Sequence, residues 1–141
     1  MTILKTLTDT TFDSVEGYRR AADKAQSPQI KSTLMQQADK RQQLVDQMNA
    51  ELERRGEELV TKGTTAGKLH QFWVEATNLF ESGDEAAVER VEEGEDYLAK
   101  KFEEALEMDN LDPQERSLIE IGYAQVKEGE RLTDMLDAQV D

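Results

Sequence analysis

Hydrophobic residues recur along most of the chain at steps of three and four positions, which is the spacing of an amphipathic helix. The pattern predicts four long helices, over residues 3–26, 28–55, 84–107 and from 113 to near the end. Helix-favouring residues dominate these stretches, and no alternation typical of strands occurs. Pro28 and Pro113 each follow a residue that caps helices well, so they indicate helix starts. The chain is therefore predicted to be all-α.

The stretch over residues 56–83 interrupts this pattern, because four glycines surround a short amphipathic helix there. Neighbouring antiparallel helices need only about 2–8 connecting residues, whereas this stretch is long enough to carry the chain back along the bundle. Two antiparallel hairpins joined by such a crossover would place the second and fourth helices parallel. That connection predicts a ferritin-like four-helix bundle, with a short fifth helix in the crossover, as a single domain over residues 1–141. A five-helix array with the third helix in the core is the alternative.

Acidic residues outnumber basic ones by 31 to 17, which gives a formal net charge of −14. Such a field repels phosphate backbones and anionic headgroups, so neither nucleic acid nor a membrane is an expected partner. No stretch approaches the roughly 20 apolar residues of a membrane span, and the first residues lack the features of a signal peptide. With no cysteine to suggest an oxidising compartment, we expect a cytoplasmic protein. The carboxylates provide either a solvating surface, which we favour, or a means of holding cations.

The histidine content bears on metal chemistry. A ferritin-like di-iron centre takes a Glu from each of two helices and a Glu-x-x-His from each of the other two. This chain has one histidine, His70, and it lies in the crossover. The standard six-ligand site therefore cannot form. Phosphate-loop, nucleophile-elbow and zinc motifs are also missing from the sequence, so an enzyme is disfavoured and no cofactor is expected.

Carboxylates could still form a different metal site. Glu16 and Glu95 each stand two residues before a tyrosine, where the first and fourth helices would supply ligands. Asp39 and Glu130 occupy comparable depths of the second and fifth helices. Together these four carboxylates predict an oxygen-ligand site for iron, manganese or calcium. The alternative, which we favour, is that Arg41 on the second helix pairs with Glu95 or Glu16 in a buried polar network, since one cation there disfavours another.

Four glycines, Gly17, Gly94, Gly122 and Gly129, are predicted to lie inside helices. Each costs about 1 kcal/mol there relative to alanine. Because three of them adjoin a candidate carboxylate, we expect them to allow close approach of helices or to leave space around a polar centre.

Three segments, VEGYRRAA at 15–22, AGKLHQFW at 66–73 and EEGEDY at 92–97, resemble a bacterial family of ferritin-like four-helix-bundle proteins whose domain has no assigned function. The resemblance extends from the first helix into the last. It implies a ferritin-like fold and a small cytoplasmic protein with a suggested stress-related role. The sequence departs from the family at Glu130, where relatives often carry histidine, and at Asp39, where glutamate is common. Both departures weaken a metal site inferred by analogy.

Two functional hypotheses follow. The leading one is a non-enzymatic bundle that acts by oligomerisation, most simply as a homodimer, or by binding a partner. The competing one is a carboxylate-rich metal-binding protein with a degenerate di-iron-type site.

Overall fold

Five helices make up the fold in the computed structural model, which describes residues 2–63 and 67–140. They are α1 Ile3–Lys24, α2 Pro28–Arg54, α3 Lys68–Phe80, α4 Asp84–Leu106 and α5 Pro113–Val140. The all-α prediction is confirmed, and each predicted helix is present. Met1, Asp141 and residues 64–66, which include the start of the 66–73 segment, lie outside the described residues.

Local hydrogen bonds explain where α2 ends and where α5 begins. Gly56 follows α2 with a φ of 73°, a left-handed conformation that glycine adopts without strain. The Glu57 N–H then donates to the Leu52 carbonyl at 2.9 Å, which closes the helix end. At the start of α5, the Asp112 carboxylate accepts from the Glu115 N–H at 2.9 Å, and the Glu115 carboxylate accepts from the Asp112 N–H at 3.1 Å. These two reciprocal hydrogen bonds form a capping box.

Two hairpins, α1 with α2 and α4 with α5, form the frame of the molecule. At one end, the Asp84 carboxylate at the start of α4 accepts from the backbone N–H groups of Gln26 and Ser27 at 2.9 and 2.8 Å. At the other end, Arg55 just after α2 donates to Asp112 just before α5 at 2.9 Å. Helices α2 and α4 therefore start at the same end and run parallel, as a long crossover requires.

The crossover helix α3 packs on both α1 and α4, and these two helices touch each other at few points. The residues of α3 that are buried are Leu69, Trp73, Ala76 and Phe80. All five helices contribute to one cluster of buried hydrophobic side chains. The buried face of α3 therefore belongs to the core. Among the described residues, no helix is both long enough and apolar enough to cross a membrane.

Three of the four glycines inside helices differ in whether a Cβ atom would fit at their position. A Cβ atom at Gly17 would overlap the indole of Trp73, and one at Gly122 would overlap the ring of Phe102. The predicted close approach is confirmed at Gly17, and Gly122, which adjoins no candidate carboxylate, also allows a close contact. At Gly94 the nearest side-chain atom would be 3.5 Å away, which is ordinary contact, so packing does not require a glycine there.

Candidate functional site

A buried ion pair joins α2 to α4. Arg41 donates to Glu95 through two nitrogens, Nη1 to Oε1 at 2.9 Å and Nη2 to Oε2 at 2.7 Å. Both side chains are only 1% exposed. Arg41 Nη1 also donates to Ser14 Oγ on α1 at 3.0 Å. The favoured sequence prediction, that Arg41 pairs with Glu95 or Glu16, is confirmed with Glu95 as the partner.

The pairing keeps Arg41 charged in spite of its burial. Burial acts to lower the pKa of Arg41, but the charge and hydrogen bonds of Glu95 outweigh it and hold the pKa above its ordinary value. A bidentate, charge-assisted pair of this kind is strong and geometrically specific. Both oxygens of Glu95 are therefore engaged, and the pair as a whole is neutral.

Tyr18 on α1 lies against this ion pair. The Arg41 guanidinium is 5.5 Å from the centre of the Tyr18 ring, within the range of a cation–π interaction. The Tyr18 hydroxyl is buried and has no hydrogen-bond partner among the described residues. Burial, followed by the negative charge of Glu95, raises the pKa of Tyr18 well above its ordinary value, so the phenol stays protonated. The centre of the bundle thus combines a closed ion pair with an uncharged hydroxyl.

The space for the ion pair comes from Gly129 on α5. A Cβ atom there would overlap Glu95 Oε2 and would lie 2.9 Å from Arg41 Nη2. Gly129 therefore lets the backbone of α5 pass directly beside the two charged groups. The prediction that a helix glycine leaves space around a polar centre is confirmed here.

The other predicted metal ligands lie in different settings. Glu16 accepts from the Gly63 N–H at 3.2 Å. Asp39 is exposed on α2, and the half-buried Glu130 lies 2.9 Å from the Lys127 ammonium. Among residues 2–63 and 67–140, no group of three or more His, Cys, Asp or Glu side chains is arranged to hold a metal ion. The structure thus does not bring the four carboxylates together.

A second carboxyl group with unusual properties, which the sequence interpretation missed, lies between α4 and α5. Burial and the carboxyl of Asp134, with smaller effects of Asp137 and Asp96, raise the pKa of Glu92 to about 7. Near it, burial and Asp96 raise the pKa of Glu130. The spacing of Asp134 and Asp137 on one face of α5 was the signal available in the sequence. That these two residues lie near Glu92 follows from the packing of α5 on α4, which the sequence pattern does not reveal.

A family model described as a domain of unknown function, DUF2383, matches residues 1–108. The chain belongs to this family. The DUF2383 match spans α1 to α4 and includes both Arg41 and Glu95, whereas α5 with Gly129 lies beyond it. The predicted membership in a domain family of unknown function is confirmed, and comparisons with curated proteins and with solved structures returned no match.

Proposed function

We propose that this DUF2383 protein is a ferritin-like bundle without a resident metal centre, which acts by assembling with other protein chains and not by catalysis. The observation that carries the proposal is the Arg41–Glu95 ion pair. In this pair Arg41 binds the central Glu95 carboxylate, and a ferritin-like protein uses a carboxylate of this kind as a metal ligand. The parallel arrangement of α2 and α4 supports the ferritin-like connection.

Electrostatics argue against a metal ion beside this ion pair. Arg41 donates one hydrogen bond to each oxygen of Glu95, and its positive charge already balances the negative charge of the carboxylate. The guanidinium also repels a second positive charge. Two unit charges about 4 Å apart repel by roughly 4 kcal/mol at an effective dielectric constant of 20, and a divalent ion roughly doubles that figure.

Assembly is supported by the surface. Six large hydrophobic side chains are at least 39% exposed in a chain of net charge −14. They are Met35, Leu59, Val74, Met108, Ile121 and Met135. Isolated exposed hydrophobic residues are common, so grouping matters more than number.

Elemental analysis of protein purified without chelator tests the proposal, together with titrations of Mn(II), Ca(II) and, under anaerobic conditions, Fe(II). We expect no stoichiometric metal and no saturable binding of the three ions. The matched variants are Glu16→Gln/Glu130→Gln, which removes two of the predicted ligands, and Glu58→Gln/Glu120→Gln, which removes two exposed carboxylates. Stoichiometric binding of any of these ions would overturn the proposal, and its loss in the first variant but not in the second would assign the site to the predicted ligands.

That outcome would instead favour the competing function, a carboxylate-rich site for iron, manganese or calcium. The raised pKa values of Glu92 and Glu130 support this alternative, because crowded carboxyls gain stability from a proton or from a cation. The engagement of Glu95 by Arg41 is the reason that we place it second.

A further inference from the structure

An open groove runs between the last turns of α2 and the first turns of α5. Its lining includes Gln47, Ala50, Pro113, Ser117, Leu118 and Ile121, and its volume is about 510 Å³. The backbones of α2 and α5 come close at few points, and the groove is open at this end of the seam between them. On the opposite side of the molecule, α3 covers the corresponding seam between α1 and α4. No helix in the described part of the chain does so for the α2/α5 groove.

The groove carries no net charge. Its two charged lining residues are Glu51 and Arg54, which are joined to each other at 2.6 Å. The whole chain carries a formal charge of −14, so two copies repel each other across most of their surfaces. A basic partner would bind most favourably beside unpaired carboxylates, and the one carboxylate that lines the groove, Glu51, is paired. A neutral patch is instead a place where two strongly acidic copies can meet without placing like charges together.

The shape of the groove also suits a second copy. Ile121 is 51% exposed and projects from α5, while the small residues Ala50 and Ser117 leave a hollow beside it. Ser117 and Ile121 are four residues apart and therefore share one face of the helix. A two-fold symmetric interface brings the same patch of both subunits together, so it needs a projection and a hollow within one patch.

We propose that the α2/α5 groove is a two-fold interface at which a second copy of this chain docks, with Ile121 of each copy entering the hollow beside Ala50 and Ser117 of the other. This rests on the proposed function as an assembly protein and names its partner. Docking would cover the α2/α5 seam, as α3 covers the α1/α4 seam on the opposite side of the molecule.

Sedimentation equilibrium and light scattering on the full chain, over the micromolar range, test the interface. We expect a dimer that tightens as sodium chloride is raised, because salt screens the repulsion between acidic copies. Ile121→Asp should weaken dimerisation about thirtyfold or more, and Ser117→Arg should do so by filling the hollow. The control is Met135→Asp, which places the same charge on an exposed residue of α5 outside the groove and should keep the wild-type dimer. Far-UV circular dichroism checks that each variant is folded.

Three results would overturn the interface: a wild-type protein that stays monomeric, a dimer that survives both groove variants, or a dimer that Met135→Asp weakens as much as Ile121→Asp. None of them depends on metal binding. If the protein is metal-free but the interface fails, the proposed absence of a metal centre still holds. If the protein contains stoichiometric metal, that proposal is wrong whatever the oligomeric state.

Discussion

Arg41 and Glu95 place two full charges in the centre of the bundle, where each depends on the other. Removing one partner leaves an uncompensated buried charge, which costs about 3–5 kcal/mol, whereas replacing both by apolar residues of similar size is often close to neutral. We therefore expect Arg41→Met to lower the free energy of unfolding by about 3–5 kcal/mol. The double variant Arg41→Met/Glu95→Leu should recover most of this loss. Urea denaturation followed by circular dichroism measures both.

The matched control is Arg131→Met, which removes an exposed arginine from α5. It should change stability by less than about 0.5 kcal/mol. If Arg41→Met were no more harmful than this control, the buried pair would not hold the bundle together.

Glu92 should make stability depend on pH near neutrality. Its pKa in the folded protein is raised to about 7 by burial and by Asp134, from an ordinary value of 4.5. Between these two values the folded state holds a proton that the unfolded chain has lost, so stability falls as pH rises through this window. Glu92→Gln imitates the protonated form. It should leave the melting temperature almost unchanged at pH 5 and raise it at pH 8.

Solvent screening limits the gain at pH 8 to about 1 kcal/mol, or about 2–4 °C for a chain of this size. The control Glu89→Gln removes one negative charge from an exposed position of the same helix and should show no such pH dependence. Equal effects of the two variants at both pH values would mean that net charge, and not the carboxyl pair, is responsible.

The ion pair and Glu92 differ in how far the sequence could predict them. Arg41 and Glu95 lie on apolar stripes of their helices, so a buried pair could be inferred from the amino-acid sequence, with either Glu95 or Glu16 as the partner of Arg41. The pairing of Glu92 with Asp134 depends on the rotation of α5 relative to α4, and a shift of one residue moves a side chain by about 100° around a helix. Periodicity alone does not determine that rotation.

At the level of the helices, glycine decides how closely neighbours approach. Gly129→Ala should destabilise the protein, although alanine is the better helix former, because the added Cβ would overlap the Glu95 carboxylate. Gly94→Ala is the matched control, since its Cβ would have only ordinary contacts. That change should stabilise α4 by up to about 1 kcal/mol. Thermal unfolding should therefore move in opposite directions for the two variants.

Asp84 ties the start of α4 to the turn between α1 and α2 through two backbone N–H groups. Asp84→Ala removes both acceptors, so we expect a loss of about 1–2 kcal/mol in the free energy of unfolding. Glu85→Ala serves as the control, because Glu85 lies in the same first turn of α4 and is exposed. A loss of the same size in both variants would trace the effect to the helix dipole instead of the link between hairpins.

The helix limits could be predicted well, because capping residues mark them. Pro28 and Pro113 both begin helices in the structure, as their positions in the sequence indicated. Whether α3 would enter the core could not be predicted in the same way. An amphipathic pattern shows that one face of a helix is buried, but not which neighbours cover it.

For the whole molecule, the net charge of −14 should make stability depend on salt. Raising the ionic strength from about 0.01 M to about 0.15 M shortens the screening length from about 30 Å to about 8 Å and weakens the repulsion among the carboxylates. We expect the melting temperature to rise by a few degrees, equally in sodium and potassium chloride. An additional rise in calcium chloride at equal ionic strength would contradict the proposed absence of a metal site.

The position of Trp73 has a consequence for spectroscopy. Trp73 is the only tryptophan of the chain, it is 3% exposed, and its ring centre lies 4.6 Å from that of Tyr18. Because its indole also lies over Gly17, its emission reports on one contact, that of the crossover helix with α1. Native emission should be at short wavelength, with Tyr18 transferring excitation to it. Detachment of α3 would expose Trp73 and shift its emission to longer wavelength, while the other helices would keep their far-UV circular dichroism. The chain therefore contains its own fluorescent probe of the crossover helix.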